Sequence, residues 1–160
     1  MYENTNGTAR VRRPLKAMAV LAGALILLAA AAAYGTQGSG VERTELAKGT
    51  TAGAVQIETS APTEVPTRIV KLAPGGTTGW HSHPGPELAT VQSGTLIYHD
   101  GSDPNCKAMK LSPGQTLVIP GGQVHLATNA GPGPLEIYVT AFVPVGSPPL
   151  NDEAKPAGCP

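Results

Sequence analysis

The sequence predicts an all-β fold, a barrel or a sandwich, and three observations carry that expectation. From Thr67 onward short apolar stretches follow one another at close intervals. Glycine and proline pairs punctuate them: Pro113-Gly114, Gly121-Gly122 and Gly131-Pro132-Gly133. No helical periodicity runs through the region. Taken in order, the strands are expected at 69–72, 88–91, 96–98, 109–111, 116–119, 124–127 and 135–142. Val55-Gln56-Ile57 is a candidate first edge strand ahead of them.

Ahead of this region the composition changes. Residues 1–16 carry Arg10, Arg12, Arg13 and Lys16, and residues 17–35 hold no charge and are dominated by Ala, Leu, Ile and Val. As a helix that run would be about 28 Å long, close to a hydrocarbon core of ~30 Å. Preceding basic residues would leave the N-terminus in the cytoplasm. The sequence predicts an N-terminal hydrophobic helix here, either a retained transmembrane anchor or a cleaved signal peptide with Ala31-Ala32-Ala33 as its small-residue site. Both readings place the remainder outside the cytoplasm, anchored or secreted. Residues 36–61, rich in Gly, Thr, Ser and Ala, read as a flexible linker; 62–144 as the barrel; 145–160 as a proline-rich tail on the surface. Formal net charge is zero, yet from Val41 onward ten Asp/Glu face seven Lys/Arg. So mildly acidic a domain has no basic footprint for nucleic acid.

Chemistry concentrates in His81-Ser82-His83-Pro84-Gly85-Pro86-Glu87. Alternation along an extended strand puts His81 and His83 on one face, and Glu87 shares their odd parity. His125, downstream, would join them if a partner strand turned it inward. Three imidazoles and a carboxylate make a donor set of borderline hardness, suited to a divalent transition metal: Mn, Fe, Ni, Cu or Zn.

The frame around these residues resembles a known family. One block runs Gly75, five residues, His81-x-His83, three residues, Glu87, six residues, Gly94. A second runs Gly114, five residues, Pro120-x-Gly122, two residues, His125, three residues, Asn129. Together they resemble the two signature motifs of the cupin superfamily, over residues 66–143. The resemblance is to small single-domain, quercetinase-like cupins of an exported bacterial subgroup. It selects the jelly-roll (double-stranded β-helix) barrel among the all-β options. It also implies the metal-ligand role for His81, His83, Glu87 and His125, and it allows a homodimer. Gly75, Gly94, Gly114, Pro120 and Gly122 would then serve the turns, and Asn129 would hydrogen-bond one of them.

Cys106 and Cys159 are the two cysteines, and neither lies at ligand spacing from the histidines. In an exported domain they form a disulfide candidate closing about fifty residues, with about 4 kcal/mol of chain-entropy stabilisation. Trp80 has the opposite parity to His81 and should face away from the metal. His99 should be a solvated strand-end residue and Glu136 a surface one, while Tyr98 and Tyr138 could each offer a phenol to a substrate or simply pack. No acid–base pair stands out beyond the ligands, and cupins host many activities. Two functions stay open: a metal-dependent (Fe, Mn or Cu) oxygenase acting on a small organic molecule, or a non-enzymatic module holding a metal or small ligand at the cell surface.

Overall fold

The computed structural model describes residues 38–160. The hydrophobic run 17–35 and its basic flank lie outside the described residues. Among those described, no helix is long and apolar enough to cross a membrane. Thr44–Pro160 forms one compact unit, and every regular element in it is a strand.

Two five-stranded sheets face one another as a jelly roll. The first has the order β1-β8-β5-β10-β3, where β1 is Thr50–Thr51, β3 Thr67–Leu72, β5 Glu87–Ser93, β8 Gln115–Ile119 and β10 Leu135–Ala141. The second has the order β12-β4-β9-β6-β7, with β4 His81–Ser82, β6 Leu96–Asp100, β7 Ala108–Leu111, β9 His125–Asn129 and β12 Asn151–Asp152. A short ribbon, β2 (Thr63–Glu64) with β11 (Val143–Pro144), flanks them.

Alternation puts one side of each strand inside. In β10, Leu135, Ile137, Val139 and Ala141 are buried while Glu136, Tyr138 and Thr140 are half-buried on the outer side. Its neighbour β5 does the same with Glu87, Ala89 and Val91. These residues interleave with Leu96, Tyr98, Leu111, Ile119 and Ala127 from the strands around them to make the core. The apolar set fills the middle of the barrel, and polar inward residues gather at one end. Glu87 opens β5 and His125 opens β9, so both fall on that end.

Backbone geometry holds this end together. After His83 the chain must turn through Pro84-Gly85-Pro86 before entering β5. Phe142 N donates to Pro86 O at 2.9 Å. A Cβ on Gly85 would overlap the Phe142 carbonyl oxygen, so the close approach requires glycine. At the other end Asn129, 1% exposed, donates to Leu72 O (3.0 Å) and Gly133 O (2.8 Å) and accepts from Gly131 N (2.9 Å). The asparagine therefore clamps the β9–β10 turn, in line with its expected role.

All seven strands expected between 69 and 142 form, with ends shifted by a few residues. Val55-Gln56-Ile57 does not. The free edge of β8 is taken instead by Thr50–Thr51, which runs parallel to it, and Val55 is left 44% exposed. Part of the stretch expected to be a flexible linker is thus docked on the barrel. The tail is also more than a surface strand of irregular chain. Asn151–Asp152 pairs with β4, and Cys159 is bonded to Cys106, with Cα atoms 5.2 Å apart.

Leu135 is fully buried on β10, which lies between β5 and β3. Leu135→Ala should lower unfolding free energy by about 3 kcal/mol, from lost transfer energy and the void it leaves. Urea denaturation of both proteins measures this. A loss under about 1 kcal/mol would place Leu135 outside the closely packed core.

Candidate metal centre

His81, Ser82 and His83 are all buried. β4 lies between β9 and β12, with His81 opposite both His125 and Asp152. That register sets two imidazoles side by side from adjacent strands. His83 follows on the same face, one residue beyond the strand. Ring centroids are 4.2 Å apart for His81–His125, 4.9 Å for His81–His83 and 5.3 Å for His83–His125. One ring nitrogen from each lies within 4.8 Å of the other two. Glu87 reaches the group at His83, with its Oε2 3.3 Å from Nε2. The structure thus brings together the three histidines, and adds the carboxylate on one side of them.

Which nitrogens face inward follows from the hydrogen bonds. His81 Nδ1 lies 2.9 Å from Gly79 O, His83 Nδ1 2.8 Å from Pro149 O, and His125 Nδ1 2.9 Å from Gln123 O. A carbonyl can only accept, so each Nδ1 carries the proton and donates it. In the neutral ring Nε2 is then an unprotonated acceptor. This is the outer-shell arrangement that fixes tautomer and ring orientation in metal-binding histidines.

The donors fit a cation. His83 Nε2 is buried and has no hydrogen-bond partner, which is unfavourable unless something electrophilic meets it. Its neighbour Glu87, when ionised, is another acceptor. Two acceptors 3.3 Å apart require a proton or a cation between them. Ligand atoms at adjacent positions on an ion with bonds of ~2.1 Å are themselves separated by about 3 Å. The mixed imidazole–carboxylate set matches a borderline divalent metal rather than a hard cation bound by oxygen alone.

The site forms one end of a cavity of about 340 Å³. Most of its wall is aliphatic, including Leu72, Leu117, Ile119 and Val139. Tyr98 lines it too, stacked on His125 with centroids 5.5 Å apart. Burial holds the Tyr98 phenol well above its ordinary titration range, assisted by Asp100 and Glu87, so it stays a hydrogen-bond donor. Arg68 is the one Lys or Arg in the lining. It was not singled out from the sequence, although its parity with Val70 and Leu72 on β3 was the available signal.

Trp80 avoids the cavity, as its parity implies, and its Nε1 donates to Pro160 O at 3.4 Å. Tyr138 lines a groove outside the barrel with Thr67 and Thr90, so of these two it is Tyr98 that stands at the metal end. His99 is not the solvated residue expected. It is half-buried and donates from Nδ1 to Cys106 O at 3.0 Å. Glu136 meets Lys71 at 2.9 Å on the outer side. Pro149 and Leu150, which contribute a carbonyl and a cavity wall, had no signal in the sequence. A carbonyl can come from any residue.

Burial shapes the titration of the site. Desolvation, opposed by the bond to Gln123, pushes His125 down to about 4. It also lowers His81, and it raises Glu87 against the pull of His83 and Arg68. Unfolded histidine takes up a proton near ~6.5, so between there and about 4 the unfolded chain holds a proton that folded His125 lacks. Metal-free protein should therefore lose stability as pH falls through that window, by up to about 3 kcal/mol from His125. Glu87 acts in the opposite sense, because its folded form binds a proton more readily than its unfolded form. Comparison with His125→Gln isolates the histidine. Urea melts of the variant at pH 7 and 4.5 should show a visibly smaller drop than wild type, and equal drops would remove His125 as the cause.

Residues 68–141 match the family described as Cupin domain. Germin-like protein 1 of Brassica napus is 36% identical over 78 residues, which cover 48% of this chain and 38% of that protein. A germin-like protein of Morus alba is 40% identical over 62 residues, 38% of this chain and 30% of its own length. The chain therefore spans well under half the length of these curated relatives. Among solved structures, peruvianin-I, a cysteine peptidase from Thevetia peruviana latex, superposes with a TM-score of 0.50 at 22% identity. That superposition covers 57% of this chain and 56% of the other, and the likeness is one of fold.

Proposed function

We propose that the chain, whose residues 68–141 match the Cupin domain family, is a metal-dependent enzyme of oxygenase type acting on a small organic anion. The observation that carries the reading is the convergence of three carbonyl-locked histidines at the polar end of an otherwise aliphatic cavity. His81, His83 and His125 would hold a divalent metal through Nε2, with Glu87 as the fourth donor. Four protein donors leave room for a substrate on a metal that prefers five or six ligands. When bound, Mn, Fe or Cu would supply Lewis acidity and one-electron chemistry.

The protein's own part is positioning and exclusion. Leu72, Leu117, Ile119 and Val139 keep the inner cavity poor in water, which strengthens every charge interaction made there. Arg68, as the cation in the lining, would pair with an anionic group on the substrate. Protonated Tyr98, stacked on His125, would donate a hydrogen bond to a second oxygen. Leu150 stands among the lining residues and is 39% exposed, so it would meet the outer part of the ligand. Export of the domain is supported by the Cys106–Cys159 bridge, because such bonds persist in oxidising compartments.

One observation favours a second reading, a binding module without turnover. Beyond the donors, the lining holds only Arg68 and Tyr98 as ionisable groups, and neither is a base at neutral pH. All chemistry would then rest on the metal.

The purified chain, stripped of metal, should stay folded and take up one equivalent of Mn, Fe, Ni, Cu or Zn. At a hundredfold excess over Kd the stability gain should be about 2.7 kcal/mol. His125→Ala should weaken binding by more than about 100-fold, beyond the ~10–100-fold typical of outer-shell changes. Oxygen uptake is then followed for each metal form against a panel of small organic acids, with Arg68→Ala expected to raise KM. Uptake by one metal form supports the enzyme. Tight metal and acid binding with no uptake on any form supports the module instead.

A further inference from the structure

The tail that follows the barrel reaches back to the metal centre. Pro149 O accepts the Nδ1 proton of His83 across 66 residues of sequence. Asn151–Asp152 then pairs along Ser82 and His81. Glu153 N donates to Trp80 O at 2.9 Å, and Ser82 Oγ donates to Glu153 Oε1 at 2.7 Å. This non-covalent hold is slender. The strand pairing is two residues long, and residues 151–155 are exposed to water, where backbone hydrogen bonds exchange easily with solvent.

Four residues past that exposed run the tail becomes covalent. Cys159 is bonded to Cys106, and Cys106 stands in a turn that is secured without the bridge. Cys106 N donates to Asp103 O at 2.8 Å. The Asp103 carboxylate accepts from Asn105 N (3.0 Å) and Lys107 N (3.1 Å). His99 adds its bond to Cys106 O. Cys106 is therefore a fixed post and the tail is the part it tethers.

The three histidines differ in where their orienting carbonyls come from. Gly79 and Gln123 each lie two residues before the histidine they orient, within the barrel's own loops. Pro149 belongs to the tail. We infer that the Cys106–Cys159 bridge, through the tail it tethers, is a positioning device for His83, so that opening the bridge loosens one metal ligand and leaves the other two in place. The inference rests on the proposed metal-binding reading for its effect on affinity, though not for its effect on His83 itself.

The test uses the full chain with ¹⁵N-labelled histidine, as wild type and as the double variant Cys106→Ser/Cys159→Ser, whose lost thiols cannot bind the metal probe. In metal-free wild type all three site imidazoles should show the Nδ1–H form with slow proton exchange. In the variant His83 alone should exchange rapidly between tautomers, while His81 and His125 keep their signals. Affinity for Mn²⁺ alone, read from the free-ion EPR signal, should fall about 10–100-fold, the usual range for loss of an outer-shell partner. An unchanged His83 signal would overturn the inference, as would Mn²⁺ affinity within twofold of wild type. Simultaneous loss of all three signals would also overturn it, because that marks general unfolding rather than release of one ligand. Wild type that binds no Mn²⁺ counts against the metal-binding reading, and the contrast between His83 and His81 still decides the role of the tail.

Discussion

Three buried imidazoles aimed at one point are the constraint the rest of this domain serves. Each ring must be held in one tautomer and turned so that Nε2 faces its neighbours. The solution is the same in all three, a backbone carbonyl accepting from Nδ1. Carbonyls suit the task because they never donate, so the proton cannot migrate to the inner nitrogen without breaking a buried hydrogen bond. The remaining lone pairs have no protein donor, and at His83 the nitrogen is left with no hydrogen bond at all. A domain selected for stability alone would have no use for such an atom.

Strand geometry converts that constraint into a fold. His81 and His125 meet because β4 and β9 are adjacent and in register. Glu87 arrives from the opposite sheet, as the first residue of β5, after a bend that Gly85 alone permits against Phe142. The site is thus closed by both sheets, and its precision depends on how firmly they face each other. The aliphatic residues beyond it provide this: Val91, Leu96 and Leu135 are each no more than 1% exposed. Packing of that quality leaves few alternative arrangements for the strands that carry the histidines and Glu87.

What the sequence made legible was whatever depends on a period of two. Parity alone placed His81, His83 and Glu87 on one face, and short apolar stretches set off by glycine and proline turns located the seven longer strands. Strands of two residues have no period to read, which is why Thr50–Thr51 and Asn151–Asp152 were missed and Val55-Gln56-Ile57 was favoured on composition. The alternative of a solvated His99 failed for a related reason, since its partner is the carbonyl of Cys106 in a turn whose path no pattern encodes. Arg68 was missed, although its parity with Val70 and Leu72 was visible. Pro149 was beyond reach, because a backbone oxygen leaves no mark on the residue that carries it. The histidine cluster was therefore readable and its support was not.

Small inward residues bear on what the cavity is for. Ala89 and Ala127 both line it, and each occupies a buried strand position where a larger side chain would add apolar burial. Filling such a position with leucine or isoleucine would ordinarily contribute on the order of 1 kcal/mol or more if the space accepted it. The same strands fill their other inward positions fully, with Val91 two residues beyond Ala89 and Asn129 two residues beyond Ala127. Space is thus kept beside the histidines and closed away from them. A purely structural metal needs no such space, because its ligands can saturate it within a packed core. The two alanines keep the cavity open at its histidine end, and Arg68 and Tyr98 are hydrogen-bond donors that line it beyond the histidines.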